Sequence, residues 1–177
     1  MHRLFVAIRP PEPIRDLLID AMDDSADFRW QDDDQLHLTL RFVGEVDRPL
    51  AEDLALALTR ITADAFTLRI AGTGRFEQRS SGALWAGVEP KTPVAALASK
   101  IERACVDVGI EPERRAFHPH ITLARWKGRR SREVASFLDR TRGLASDPFE
   151  VTEFILFESR LSRHGAHYEP VTIYPLA

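Results

Sequence analysis

Two stretches decide the reading of this chain: His37-Leu38-Thr39-Leu40-Arg41-Phe42-Val43-Gly44 and Pro119-His120-Ile121-Thr122-Leu123-Ala124-Arg125. Each reads as a strand, because apolar and polar residues alternate. Residues two apart in a strand share a face. His37 and Thr39 therefore stand side by side, with Leu38, Leu40 and Phe42 turned toward a core. His120 and Thr122 repeat the arrangement, with Ile121 and Leu123 behind them. With 6 His and 10 Thr in 177 residues, random placement gives roughly 0.3 His-x-Thr triplets, and about 0.07 once apolar neighbours are demanded. One such pair would be an ordinary half-exposed strand face. Two, at equivalent places in the chain, point to a duplicated site.

Outward from these strands the order of elements repeats. Arg3 to Arg9 reads as a strand stopped by Pro10-Pro11, and Ile14, Leu17, Leu18 and Met22 recur at helical spacing. Asp32-Asp33-Asp34 reads as a solvated turn, followed by a strand over Gln35–Val43. Asp47 caps a helix whose buried stripe is Leu50, Leu54, Leu58 and Ile61. Phe66–Ala71 and Ala83–Val88 read as strands joined by a loop over Gly72–Gly82. The second half begins with a helix at Thr92-Pro93, carrying Val94, Leu97, Ile101, Cys105 and Val108 and ending at Gly109. A strand over Phe117–Arg125 follows, then a short helix capped by Ser131, then strands over Phe149–Phe157 and Tyr168–Tyr174. The expected fold is α+β: a bilobal, duplicated α/β unit with pseudo-two-fold symmetry and two antiparallel sheets facing a central cleft. One domain, 1–177, is expected, with lobes of roughly 1–90 and 91–177 and strand exchange between them left open.

Composition narrows the function classes. Hydrophobic residues make up 44% and charged residues 29%, enough for a core and a soluble surface. Apolar runs fall far short of the roughly 20 residues that span a bilayer. The net charge of −3, from 24 Lys+Arg against 27 Asp+Glu, argues against a globally electrostatic nucleic-acid binder and leaves room for a local basic patch. The lone Cys105 excludes an internal disulfide and a multi-cysteine metal site. Leu4 to Ile8 is too short for a signal-peptide core. A cytoplasmic monomer is the expectation.

The paired motifs limit the chemistry. Two imidazoles at one centre form a base–acid couple, because an unperturbed pKa near 6.5 allows one to be neutral while the other is protonated. That couple predicts a bell-shaped pH profile with limbs within about one or two units of 6.5. Two threonine hydroxyls can donate to an anion and are poor nucleophiles without a strong base. A phosphate fits this set best. Two histidines and two neutral hydroxyls make a poor transition-metal site, and neither a His-Glu-x-x-His motif nor a phosphate-binding glycine loop is present. The expected chemistry needs no metal, ATP or other cofactor.

Paired His-x-Thr-apolar motifs in a chain of this size resemble the 2H phosphoesterase superfamily, and most closely its RNA 2′,3′-cyclic phosphodiesterase branch, also called 2′–5′ RNA ligase-like. Arg3-Leu4-Phe5-Val6-Ala7-Ile8 at the start, and Ser159-Arg160-Leu161 with Gly165 and Tyr168 near the end, extend the resemblance over essentially the whole chain. The resemblance implies hydrolysis of an RNA or nucleotide 2′,3′-cyclic phosphate to a 2′-phosphate. By motif order it makes His37 the proton donor to the leaving oxygen and His120 the acceptor from water. Thr39, Thr122 and Arg125 would bind the substrate. A non-catalytic RNA-end or nucleotide-binding module, and a phosphodiesterase or ligase for another cyclic nucleotide or tRNA halves, are the alternatives.

Some residues carry two readings. The resemblance places Arg125 on the phosphate, yet strict alternation turns it away from His120. Arg41 shares parity with His37 and is expected at the rim. Phe42 and Phe117 are expected in the core. Arg129-Arg130 with Trp126 could track and stack an RNA strand, or form a solvated charge run. His118 is expected at a strand edge or loop because Pro119 interrupts the ladder.

Overall fold

A computed structural model describes all 177 residues. Nine strands run β1 (His2–Ile8), β2 (Arg29–Trp30), β3 (Leu38–Val46), β4 (Phe66–Gln78), β5 (Ser81–Glu89), β6 (His120–Lys127), β7 (Phe149–Val151), β8 (Glu153–Ser162) and β9 (Gly165–Pro175). Four helices are α1 (Glu12–Ala21), α2 (Arg48–Leu58), α3 (Lys91–Asp107) and α4 (Ser131–Arg140). The fold is the expected α+β, mostly antiparallel. Its strand order is β7-β4-β5-β6-β3-β1-β8-β9, with β2 also pairing β6. The two half-sheets are thus joined into one curled sheet at the β3–β6 seam.

The sheet does not follow the chain halves 1–90 and 91–177. The β4–β5 hairpin lies beside β6, and the β8–β9 hairpin lies beside β1. Each half of the sequence lends a hairpin to the other half of the sheet.

Local rules place the helices. The Asp47 side chain accepts from the Leu50 N–H at 3.0 Å and caps α2. Gly109, at φ +102°, follows α3 in the left-handed region that glycine tolerates. Ile14 and Leu18, Leu54 and Leu58, Leu97 and Ile101, and Val134 and Phe137 are buried against one face of the sheet. Each contributes about 1.5–3 kcal/mol. The other face carries a small cluster of Phe5, Ala7, Ile155 and Phe157, bordered by Tyr168. No helix is long and apolar enough to cross a membrane.

Several boundaries differ from expectation. The stretch Gly72–Gly82 is no loop, because β4 runs to Gln78 and pairs with β5 to the turn. Gly74 allows this: a Cβ there would lie 2.2 Å from Cζ2 of Trp85. The acidic turn is a short 3-10 helix, Asp33–Gln35, so β3 begins at Leu38 rather than Gln35. Ser131 is the first residue of α4, not its cap.

Replacing Gly74 tests this close approach. Gly74→Ala should destabilise the protein by about 1–3 kcal/mol in urea unfolding, because the Trp85 ring must move. An unchanged midpoint would show that the ring is not held there.

Candidate active site

The two motif strands meet at a single pair, Leu38 opposite Ile121. This register sets His37 across from Thr122 and Thr39 across from His120, all on one face. The fourth residue of each motif is a β-bulge. Along β3, Thr39 pairs with Ala7 and Arg41 with Val6, leaving Leu40 as an extra residue. Along β6, Thr122 pairs with Trp85 and Ala124 with Leu84, leaving Leu123 extra. A bulge shifts the alternation by one position. Arg41 is thereby turned to the helix side, whereas Phe42 and Arg125 are turned to the cleft.

The bulges settle where the two arginines go. Arg125 shares the face of His120 and Thr122, which strict alternation denied it. Arg41 is not a rim residue: it is 8% exposed and donates to Glu102 Oε1 from Nε at 3.1 Å and from Nη2 at 2.9 Å. Its guanidinium also reaches the Glu111 carbonyl, and Glu102 accepts from the Glu113 N–H at 2.9 Å. This pair, Arg41 buried and Glu102 half-buried, ties β3 and α3 to the loop that leads into the second motif. Phe42 and Phe117 are not core residues, at 39% and 38% exposed, and both line the cleft. Trp126 is 4% exposed and packs edge-on to Phe28, so it offers no stacking surface. Arg130 lies 3.4 Å from Asp27.

Both histidines are held in the same way. The Nδ1–H of His37 donates to the Gln35 carbonyl at 2.7 Å, and that of His120 donates to the His118 carbonyl at 2.6 Å. Each ring is thereby fixed with Nε2 as its working nitrogen. Thr39 Oγ1 lies 3.0 Å from His37 Nε2 and donates to it when the ring is neutral. His37 packs on Phe5 at 4.8 Å and edge-on to Tyr168 at 5.2 Å. His120 packs edge-on to Phe76 at 4.8 Å. His118 lies in the loop before β6, as expected, against Phe76 and Trp85. The sequence reading missed Gln35 and the four rings. The signal for Gln35 was its place two residues before His37, matching His118 before His120.

Burial dominates the electrostatics. It lowers the His37 pKa to about 4, helped by the charges of His120, Arg125 and Arg9 and opposed by the Gln35 carbonyl. His120 is lowered too, by burial and then by His118 and Arg125, against the bond to the His118 carbonyl. Both imidazoles are neutral near pH 7 in the open cleft. His120, Thr39 and Arg125 line a cavity of about 1590 Å³ that also reaches Phe76, Phe117 and Lys127.

Two neutral imidazoles with outward Nε2 atoms, flanked by hydroxyls and a guanidinium, suit proton transfer around an anion. Comparison with known proteins agrees with this chemistry. The model of the 2′-5′ RNA ligase superfamily matches residues 10–163. The chain belongs to this family. A relative from Aeropyrum pernix, an RNA 2′,3′-cyclic phosphodiesterase, is 34% identical, with 81% of this chain and 82% of that protein covered. The Escherichia coli K12 protein of the same description is 31% identical, with 99% and 97% covered. The crystal structure of E. coli LigT complexed with 3′-AMP superposes with a TM-score of 0.83 at 30% identity, covering 99% and 98% of the two chains.

The state of His37 has a measurable consequence for stability. Its folded value of about 4 lies below the unfolded value of 6.5. The folded form binds the proton more weakly, so this contribution is complete above about pH 6.5 and is lost as pH falls toward 4. The full loss is on the order of 3 kcal/mol. Urea unfolding of the wild type should therefore lose more stability between pH 7 and 4 than that of His37→Asn, by about this amount. Parallel pH curves would contradict a buried neutral ring.

Proposed function

We propose that the protein hydrolyses the 2′,3′-cyclic phosphate of an RNA end or nucleotide to a 2′-phosphate, by paired-histidine acid–base catalysis without a metal or cofactor. The observation that carries this is the bulged register, which sets both imidazoles, both threonines and Arg125 on one face of the β3–β6 seam. His120 Nε2 takes a proton from water as the water oxygen bonds to phosphorus. His37 gives a proton to the 3′ oxygen as the P–O3′ bond breaks. Thr39, Thr122 and Arg125 hold the non-bridging oxygens, and the guanidinium forms charge-assisted bonds to them. The role of His120 is supported by its outward nitrogen in an open cavity and by its lowered pKa. His37 takes up its proton when a phosphodiester arrives, because the anion offsets the burial that keeps the ring neutral. The reading describes a cytoplasmic monomer.

The test is incubation of the protein with a 2′,3′-cyclic oligonucleotide in chelator, followed by identification of the product isomer. A 2′-phosphate is expected, with turnover unchanged by EDTA. His37→Ala and His120→Ala should each lower turnover by about 10²–10⁴. Full activity in either variant overturns the acid–base assignment, and chelator-sensitive turnover rescued by a divalent ion overturns the metal-free mechanism. Binding without turnover would identify a binding module.

The pKa directions sharpen the pH expectation read from the sequence. Because both rings are lowered in the free protein, the kcat/KM bell should centre below 6.5. Bound phosphate favours the imidazolium, so the kcat profile should lie at higher pH than that of kcat/KM. The limbs belong to the coupled pair. A kcat/KM profile flat between about pH 5 and 9 would exclude a two-histidine mechanism.

A further inference from the structure

The two motif histidines are oriented alike, yet the residues that supply the orienting carbonyls differ. His118 is a loop residue whose ring packs against Phe76 and Trp85. Gln35, whose carbonyl accepts the His37 Nδ1–H at 2.7 Å, uses both ends of its side-chain amide. Its Oε1 accepts from the Asp32 N–H at 3.1 Å, and its own N–H donates to the Asp32 carbonyl at 3.0 Å, which closes the 3-10 turn on itself. Its Nε2 donates to the Ala166 carbonyl on β9 at 3.0 Å. One end of the amide thus belongs to the turn, the other to a hairpin 131 residues away in sequence.

That hairpin also walls the histidine. Tyr168, two residues after Ala166 and on the same face of β9, packs edge-on to His37 at 5.2 Å and to Phe5 at 5.0 Å. Gly165, at φ +104°, brings the hairpin tip onto the turn: a Cβ there would lie 3.2 Å from Arg29 Nη2 and 4.0 Å from Gln35 Nε2. The rest of the turn is held by other means. Arg9 donates to the carbonyls of Asp33 and Asp34 at 3.2 and 3.1 Å, and Arg15 Nε donates to Asp33 Oδ1 at 2.9 Å. Those bonds fix residues 33 and 34 without touching the hairpin. The Gln35 amide sets where the turn stands against Tyr168, and so where the His37 ring stands between its anchor and its wall.

We propose that the Gln35 side chain is a positioning residue for His37: it latches the 3-10 turn to the β8–β9 hairpin, so that the imidazole keeps one orientation and stays enclosed between Phe5 and Tyr168. The kinetic consequence rests on the phosphodiesterase reading above; the effect on the ring itself does not. A misplacement of about 1 Å is enough to cost about 10²-fold in rate. Opening the enclosure also admits water, and hydration favours the imidazolium. The charged or titrating groups that face His37 are Arg9 after β1, His120 and Arg125 on β6, and Tyr168 on β9. The substitutions below leave all four in place.

The experiment follows the His37 and His120 imidazoles by NMR pH titration in the wild type and in Gln35→Met, which removes both ends of the amide and adds no charge. Alongside, kcat and KM are measured on a nucleoside 2′,3′-cyclic monophosphate for these two proteins and for Gln35→Glu, which keeps an acceptor for the Asp32 N–H and removes the donor to Ala166. In Gln35→Met the His37 pKa should rise from about 4 to about 5 or above, with the His120 titration unchanged. Both variants should lose about 10–100-fold in kcat with KM within about twofold. In the wild type the Gln35 side-chain amide protons should exchange with solvent about tenfold or more slowly than those of the exposed Gln78. Exchange at the Gln78 rate overturns the latch without any variant. A wild-type His37 titration and kcat in Gln35→Met overturn it too, as does an equal shift of both histidines, which marks a general loosening. If the wild type turns over no cyclic monophosphate, the phosphodiesterase reading falls, and the titrations and exchange decide the latch alone.

Discussion

The cleft depends on one contact, Leu38 opposite Ile121, where two half-sheets of different parentage become one. That register decides which four polar side chains meet. The bulges at Leu40 and Leu123 decide which residues join them. Because side-chain direction alternates along a strand, an extra residue reverses every later position. The same device in both halves has opposite chemical results. In one it sends an arginine into a buried pair with Glu102 and a phenylalanine to the cleft. In the other it buries an alanine and presents Arg125. The pseudo-symmetry of the backbone therefore carries an asymmetric site, with one cation and one ring at equivalent places.

The histidines are held by backbone carbonyls two residues earlier, and those carbonyls are fixed by contacts from elsewhere in the fold. Gln35 Nε2 donates to the Ala166 carbonyl at 3.0 Å, which ties the 3-10 turn to the β8–β9 hairpin. The loop before His118 is tied by Arg41 and Glu102. A partly buried ion pair is weak evidence for stability, since desolvation offsets much of its attraction. Here the pair spans the approach to one motif from the strand of the other, which is where positional precision matters to a two-histidine site.

Burial of the rings shapes their protonation. Aromatic walls from Phe5, Tyr168 and Phe76 exclude water and disfavour the imidazolium. An anion entering such a site meets low dielectric and fixed donors, where its charge acts strongly on the proton equilibrium. The open cleft thus holds two neutral imidazoles, and in the proposed mechanism the charge of the phosphodiester completes the acid.

The sequence by itself determined the duplicated His-x-Thr motifs, the α+β class and the helical faces, because local alternation, capping and 3.6-residue spacing are properties of short segments. It also named the residues proposed for the site, Arg125 through family resemblance. It could not place Arg41 or Phe42, because a bulge is invisible in an alternating pattern until the partner strand supplies the register, nor Phe117, which lies in the loop before β6 rather than in the strand its pattern suggested. Trp126 read as a stacking surface until Phe28 and the close approach of Gly82 showed it buried. The exchange of hairpins between the halves, and the fall of the His37 pKa, were likewise set by tertiary structure. Both arise from residues far apart in the chain, whose meeting depends on how the strands pair and not on their neighbours in sequence.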